Sequence, residues 1–150
     1  MDLTEEVERL VSDYPRTGPP IVAEVLAVLL KAREHFCDLE DWTVFLAVLT
    51  RAQSAGAFGA VSRGDLLAGK IAELPGGGTN VRSISESCRI PRETVRRKVA
   101  AMVARGFLER RGGRLYPTVG AMQALDPLRM QIYASAARVW QVVDRTRRQS

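Results

Sequence analysis

The spacing of apolar residues predicts helices through the first third of the chain. Four apolar residues near the N-terminus recur at helical spacing: Leu3, Val7, Leu10 and Val11. Thr4 is a candidate cap for this helix, and the proline-rich stretch 15–20 predicts a break after it. Residues 21–36 and 42–56 then form two helical segments that are apolar on nearly every side. Helices of this kind are buried, either in a core or between subunits.

The middle of the chain has weaker signals. Residues 64–74 predict a shorter helix, and the Pro-Gly-Gly-Gly stretch at 75–78 is the clearest loop. Gly64, Gly69 and Lys70 have the spacing of a phosphate-binding loop, but no apolar strand precedes them and the magnesium-binding hydroxyl is missing. We therefore treat that spacing as chance, and the role of residues 56–80 stays open.

A helix-turn-helix pattern follows the glycine loop. Ser83 and Glu86 form a capping box, which predicts a short helix that starts there. Arg89 and Ile90 are the turn, and Pro91 suits the first position of a second helix over 91–105. The second helix has a stripe of apolar residues and a glycine at its end: Val95, Val99, Met102, Val103 and Gly106.

A hairpin and a long helix complete the predicted elements. Two short strands within 107–118 flank Gly112-Gly113, a pair typical of a tight hairpin turn. Asp126-Pro127 opens a helix that runs to about residue 146. Its apolar residues recur at near-heptad spacing or widen the same face: Leu128, Ile132, Tyr133, Ala136, Val139, Trp140, Val142 and Val143.

These elements predict a mainly α fold with a small β-hairpin wing, a winged helix-turn-helix with flanking dimerisation helices. At 150 residues the chain is expected to form a single domain, 1–150. The domain has three parts: N-terminal scaffold and dimerisation helices in 1–56, the winged helix-turn-helix in 81–118 and a C-terminal dimerisation helix in 126–147. Helices 21–36 and 127–146 have more apolar surface than one small domain needs, so we expect a homodimer.

Composition argues against several classes of function. The apolar runs are far too short to span a membrane and the acidic N-terminus is no secretory signal, so we expect a cytoplasmic protein without membrane contact. One histidine, His35, and two cysteines, Cys37 and Cys88, cannot supply a four-ligand zinc site, so no metal or cofactor is expected. These residues also assemble no nucleophile and base pair, which argues against an enzyme. A redox role for Cys37 is a minor alternative.

Charge is distributed unevenly along the chain. Residues 1–75 carry 7 Lys and Arg against 12 Asp and Glu, whereas residues 76–150 carry 15 against 5. The segment 81–114 alone holds 10 basic and 3 acidic side chains, and it contains both the helix-turn-helix and the hairpin. This concentration predicts a polyanionic partner, because a merely solvated surface has no need of it.

The predicted binding residues lie on the second helix, beside it and on the hairpin. On a helical wheel, four residues opposite the apolar stripe are candidates for base contacts: Arg92, Glu93, Arg96 and Arg97. Four more are candidates for phosphate contacts: Ser83, Arg89, Thr94 and Lys98. Three arginines of the wing are candidates for the minor groove or the backbone: Arg110, Arg111 and Arg114.

The sequence Arg92-Glu93-Thr94-Val95-x-Arg97 resembles the recognition helix of the cyclic-AMP receptor/Fnr group of bacterial regulators. The resemblance covers about 40 residues, Val81 to Thr118, and implies that Arg92, Glu93 and Arg97 read bases and Thr94 contacts phosphate. Residues 1–75 do not read as the string of strands that this group places before its dimer helix. In size and helical plan the chain is more similar to the MarR group of dimeric regulators, which do not typically have this Arg-Glu-Thr-Val pattern.

The sequence thus predicts a homodimeric, double-stranded DNA-binding transcriptional regulator, more consistent with a repressor than an activator. The recognition helix 91–105 would enter the major groove of a near-palindromic site. The alternative is a winged-helix protein–protein adaptor without sequence-specific DNA binding. Four aromatic residues are either core, dimer interface or the lining of a small-molecule effector pocket: Trp42, Phe45, Tyr133 and Trp140.

Overall fold

The structure is a computed structural model and describes residues 2–54 and 56–149. Helices make up 71% of it, and its described strands form a two-stranded antiparallel hairpin. The prediction of a mainly α fold with a small β-hairpin is therefore confirmed. The elements are, in chain order, α1 (Leu3–Ser12), α2 (Tyr14–Ala32), α3 (Leu39–Gln53), a 3₁₀ turn (Gly56–Ala60), α4 (Arg63–Leu67), α5 (Val81–Cys88), α6 (Arg92–Ala104), β1 (Leu108–Arg111), β2 (Arg114–Pro117), α7 (Val119–Ala124) and α8 (Asp126–Gln149).

The chain divides into two compact units where the sequence analysis expected a single domain. One unit comprises the residues up to His35 together with those from Pro127 onward, and the other is Phe36–Asp126. In the first unit, Glu24 of α2 accepts hydrogen bonds from Ser135 Oγ and Arg138 Nε of α8, both at 2.6 Å. These bonds connect α2 to α8, the two helices that the sequence assigned to dimerisation.

The predicted break over 15–20 is wrong, because α2 begins at Tyr14 and continues through Pro19 and Pro20. The chain turns instead at Asp13, between α1 and α2. Thr17 stabilises this turn, since its hydroxyl donates to the carbonyl oxygens of Leu10 at 2.7 Å and Asp13 at 3.1 Å. The first proline of the stretch falls in the first turn of α2, where an amide hydrogen has no partner within the helix.

The ends of two other helices also differ from the prediction. Asp2, not Thr4, caps α1, because its carboxylate accepts the Thr4 amide at 3.3 Å. The helix expected over 64–74 is the short α4, which ends before Gly69, a glycine in the left-handed region at φ 72°. A glycine in this conformation is a common helix terminator.

The core of the Phe36–Asp126 unit lies where α3, α6 and the hairpin pack together. Its aliphatic centre is fully buried and includes Val44, Val48, Val95, Val99 and Met102. The rings of Phe36, Phe45 and Phe107 form a cluster with centroid separations of 5.4–6.0 Å. Phe45 is thus a core residue, which removes it from the aromatic residues considered for an effector pocket.

The glycine loop at 75–78 packs between α3 and the hairpin. Gly76 has φ 134°, and a Cβ there would lie 2.2 Å from the carbonyl oxygen of Ala52. A Cβ on Gly78 would lie 2.6 Å from the Tyr116 ring. Directly after the loop, Thr79 pairs with Leu115 through two backbone hydrogen bonds of 3.2 and 2.8 Å. The loop therefore lets the chain reach the edge of the hairpin before α5 begins.

Candidate nucleic-acid interface

The first helix of the predicted pair, α5, starts earlier than its capping box indicated. Asn80 has extended backbone angles, and its side-chain oxygen accepts the Ser83 amide at 2.9 Å. Ser83 is therefore an exposed residue of the first turn and not the cap. Glu86 pairs with Arg82 at 2.8 Å instead of closing a capping box. Asparagine satisfies an orphan amide as well as serine does, so the sequence contained two candidate caps three residues apart.

The turn between α5 and α6 is built on an arginine in an unusual conformation. Arg89 has φ 55° and ψ 34°, in the left-handed region where helix ends usually place glycine. It is the only residue other than glycine with positive φ in the described part of the chain. Ser85 Oγ donates to the Ile90 carbonyl oxygen at 2.7 Å, and the Ile90 side chain is buried. The turn is thus anchored at Ile90 while the Arg89 side chain is exposed.

Helix α6 has one buried and one exposed face. It begins at Arg92, with Pro91 as the residue just before it, and buries Val95, Val99 and Met102. Arg92 and Arg97 are exposed, and Thr94 is half-buried beside them. Neither arginine is within salt-bridge distance of a carboxylate in the part of the chain that is described. The first two turns of α6 therefore present two guanidinium groups that are available to an external acceptor.

Glu93 and Arg96 bind each other on the same exposed face. Arg96 donates two hydrogen bonds to the Glu93 carboxylate, of 2.9 and 2.6 Å. The bonds from Arg96 lower the pKa of the Glu93 carboxyl and raise the pKa of the guanidinium. Because both side chains are about 70% exposed, the pair contributes little to stability. Both groups can exchange this mutual contact for contacts to bases.

Lys98 was predicted to contact phosphate, but its side chain is buried within the protein. Its side chain is 10% exposed, and Nζ lies 2.7 Å from Asp38 Oδ2 and 2.9 Å from Asp41 Oδ1. Burial favours the neutral amine, but the hydrogen bonds to Asp38 and Asp41 outweigh it and raise the pKa of Lys98. The ammonium thus joins α6 to the first turn of α3, and we leave it out of the candidate interface.

The hairpin has the expected turn, but its arginines differ in availability. Gly112 and Gly113 occupy the tip with φ 55° and 76°, and Arg111 pairs with Arg114 across it. The Arg111 side chain is held against the protein: its guanidinium lies 3.8 Å from the Tyr116 ring and is paired with Glu73 and Glu109. Arg114 donates to the Gly78 carbonyl oxygen at 3.1 Å and stays exposed. Arg110 is exposed and outside salt-bridge distance of every described carboxylate.

The predicted site residues therefore differ in how available they are to an external partner. Four arginines at the turn, on α6 and on the wing are exposed and outside any ion pair among the described residues: Arg89, Arg92, Arg97 and Arg110. Lys98 and Arg111 are committed to contacts within the protein. The sequence does contain a signal for Lys98, because it is three residues after Val95 and four before Met102, on the buried face of α6.

Comparison of the chain with known proteins assigns it to no family. The chain matches no known protein family, no curated protein and no solved structure. Among the described residues, no helix combines the length and the apolar character needed to cross a membrane. Within the same residues, no group of three histidine, cysteine or acidic side chains is arranged to hold a metal ion.

Proposed function

We propose that the protein is a homodimeric regulator of transcription that binds specific sites on double-stranded DNA. In this proposal the Phe36–Asp126 unit is a winged helix-turn-helix with α6 as the recognition helix. The start of α6 enters the major groove, and the wing of β1 and β2 contacts the minor groove or the backbone. A dimer that occupies its operator is sufficient for repression, and a repressor is the role we propose.

The order and pairing of the elements support the winged arrangement. A scaffold helix, α3, is followed by the short Thr79 pairing, then by α5, α6 and the hairpin. Backbone pairing of Thr79 with Leu115 attaches the start of α5 to the wing, so the helix pair and the wing are parts of one packed unit. A fold of this kind serves several functions, so the choice of DNA rests on the side chains.

The observation that carries the proposal is the set of unpaired arginines at the turn and on α6. Arg89, Arg92 and Arg97 lie within nine residues, and no described carboxylate lies within salt-bridge distance of them. Arg89 also has a left-handed backbone, which costs about 1–2 kcal/mol for a residue with a Cβ. A glycine would avoid this strain, so the arginine is best explained by what its side chain binds.

Selection of bound sites from a random duplex pool, at about physiological salt, tests the function. We expect the wild-type protein to enrich a near-palindromic motif whose half-sites are about one helical turn apart. The adaptor alternative predicts no motif, and only weak binding that disappears as the salt concentration rises. An absence of any enriched sequence would contradict the proposal and favour the adaptor.

Replacing Arg89 by glycine is expected to change stability and DNA affinity in opposite directions. The glycine relieves the left-handed strain, so we expect the free energy of unfolding to rise by about 1 kcal/mol. Loss of the guanidinium should weaken DNA binding several-fold, because one phosphate contact disappears. Denaturant unfolding and titration of labelled duplex measure the two effects.

Arg89→Ala is the matched control for this prediction. It removes the same charge but keeps the left-handed strain, so it should bind DNA as weakly as the glycine variant and be about 1 kcal/mol less stable than it. A glycine variant that binds DNA as tightly as the wild type would show that Arg89 does not contact the backbone.

The dimer is supported by exposed apolar side chains on two helices of the first unit. On α2, large apolar residues recur at helical spacing and are 37–62% exposed: Val22, Val25, Leu26, Leu29 and Leu30. On α8, Met130, Tyr133 and Trp140 are 48–69% exposed. A helix with an apolar face of this kind is stable in water when the face is covered. A second copy covers it by symmetry, since a two-fold contact pairs the same surface on each subunit.

Charged substitutions on α2 are expected to disrupt the dimer. In Val22→Glu/Leu26→Glu, two carboxylates would have to be buried in each half of the interface, so we expect the dimer dissociation constant to rise at least about 100-fold. Sedimentation equilibrium measures it, and Leu67→Glu is a matched control because Leu67 is 43% exposed in the other unit. A wild-type protein that stays monomeric at about 100 µM would contradict the dimer.

A further inference from the structure

A groove lies between α3 and α5 in the Phe36–Asp126 unit. Its volume is about 470 Å³, within the range of roughly 300–1,000 Å³ that is usual for small-molecule sites. Three apolar residues contribute to its lining, Leu46 and Ala47 from α3 and Ile84 from α5. Ile84 is only 1% exposed, so it forms part of the floor. The groove thus offers an apolar surface large enough for a ring or a short alkyl chain.

The polar lining of this groove has one sign of charge. Arg51 is its only charged residue among those described, and no carboxylate lines it. In the described part of the chain, Arg51 is within salt-bridge distance of no acidic group. The other polar lining comes mainly from hydroxyl groups, and those of Thr50 and Ser83 make no hydrogen bond to another described residue. An unpaired guanidinium beside hydroxyl donors and an apolar floor suits a ligand with one carboxylate and a hydrocarbon body.

We propose that this groove binds a small organic acid, with its carboxylate on Arg51 and its hydrocarbon part against Leu46, Ala47 and Ile84. Hydroxyl donors from Thr50 and Ser83 complete the carboxylate site. A phosphate or sulfate ion would use Arg51 but gain nothing from the apolar floor, so the groove favours an amphipathic acid. None of the unpaired arginines at the turn, on α6 or on the wing lines this groove, so the acid site can be tested apart from them. Ser83, which the sequence predicts as a phosphate contact, is the one residue that the groove shares with the predicted interface.

Cys88 gives a direct measure of occupancy, because it also lines the groove. The chain has two cysteines, so the full-length Cys37→Ser variant leaves Cys88 as the single thiol. Its rate of alkylation by iodoacetamide, a neutral reagent, is measured against increasing concentrations of hexanoate and of hexanamide. These two probes have the same shape and differ in charge.

We expect hexanoate to slow the alkylation of Cys88 in a saturable way, with an apparent dissociation constant about tenfold below that of hexanamide. Arg51→Gln should abolish the tenfold preference for the acid while both probes still give weak protection. Arg33→Gln is the matched control, because Arg33 is exposed and lies outside the groove. It should keep the preference.

Three results would overturn the proposal. Equal protection by the acid and the amide would show an apolar surface without a carboxylate site. A preference for hexanoate that survives in Arg51→Gln would place the acid elsewhere, and an alkylation rate that neither probe changes would leave the groove without a ligand. Arg51 is exposed, so its replacement is expected to change the free energy of unfolding by less than about 0.5 kcal/mol, and thermal unfolding checks this.

Discussion

Replacing Lys98 by methionine is expected to lower the free energy of unfolding by about 3 kcal/mol, because it leaves a buried carboxylate without its partner. Lys98 Nζ donates to Asp41, whose side chain is 11% exposed, and to both oxygens of Asp38. Methionine fills a similar volume but neutralises neither carboxylate. Urea unfolding, followed by circular dichroism, measures the loss.

Two further variants test whether the stability lost in Lys98→Met comes from the unpaired buried carboxylate or from replacing a lysine by methionine in general. Lys70→Met removes an exposed lysine whose nearest carboxylate is 3.6 Å away, and it should cost less than about 0.5 kcal/mol. Adding Asp41→Asn to Lys98→Met replaces the unpaired charge by a neutral amide and should recover part of the lost stability. If Lys98→Met were as stable as the wild type, the cluster would not hold α6 to α3 as its geometry indicates.

The effect of Lys98→Met should also depend on pH. The hydrogen bond from Lys98 lowers the pKa of Asp38 in the folded protein. A carboxyl group with a lowered pKa stabilises the fold above its ordinary value, and this contribution is lost as pH falls through the lowered value. The difference between wild type and Lys98→Met should therefore shrink below about pH 4. At the alkaline end the difference should begin to fall above the ordinary lysine value and should be lost only as pH rises through the raised pKa of Lys98.

Lys98 shows why the local pattern predicted the fold better than the site. The apolar stripe at Val95, Val99 and Met102 and the Gly112-Gly113 turn depend on neighbours in sequence, and the structure has both as predicted. The partners of Lys98 lie at the start of α3, 57 and 60 residues away: Asp41 in its first turn and Asp38 as its cap. Nothing in the spacing around Lys98 identifies Asp38 and Asp41, so its charge was assigned to an external partner.

The same reasoning applies to the first half of the chain. Prolines at 15, 19 and 20 predict a break, yet the helix continues because contacts outside it, such as the Thr17 hydroxyl on Leu10, stabilise that path. The sequence likewise gives no signal for the pairing of Thr79 with Leu115, because a single paired residue cannot show the alternation of apolar and polar side chains that marks a strand. Local sequence decides helix and strand propensity, whereas tertiary contacts decide the path of α2 and the pairing of Thr79.

Arg92 and Arg97 of α6 can distinguish the proposed DNA binding from the adaptor alternative, because neither side chain is held by an ion pair in the described fold. Both side chains are also exposed. Their removal should leave the fold intact, unlike the removal of Lys98. An effect of these variants on DNA binding can therefore be attributed to the interface itself.

Arg92→Ala/Arg97→Ala is expected to weaken binding to the selected site by about 10²–10⁴-fold, since each arginine contact to guanine contributes roughly 1–3 kcal/mol of discrimination. Binding to unrelated duplex should fall much less, because the phosphate contacts proposed for the wing and Arg89 would remain. Fluorescence anisotropy with both duplexes, at several salt concentrations, measures the two affinities.

The matched control removes two exposed arginines from the other unit, Arg33 and Arg145, which are outside any salt bridge among the described residues. Arg33→Ala/Arg145→Ala makes the same change in net charge, so a purely electrostatic effect would weaken both double variants alike. Base reading predicts that only Arg92→Ala/Arg97→Ala loses the preference for the selected site. If that variant still enriched the wild-type motif, α6 would bind the backbone without reading it, and specificity would have to come from the wing.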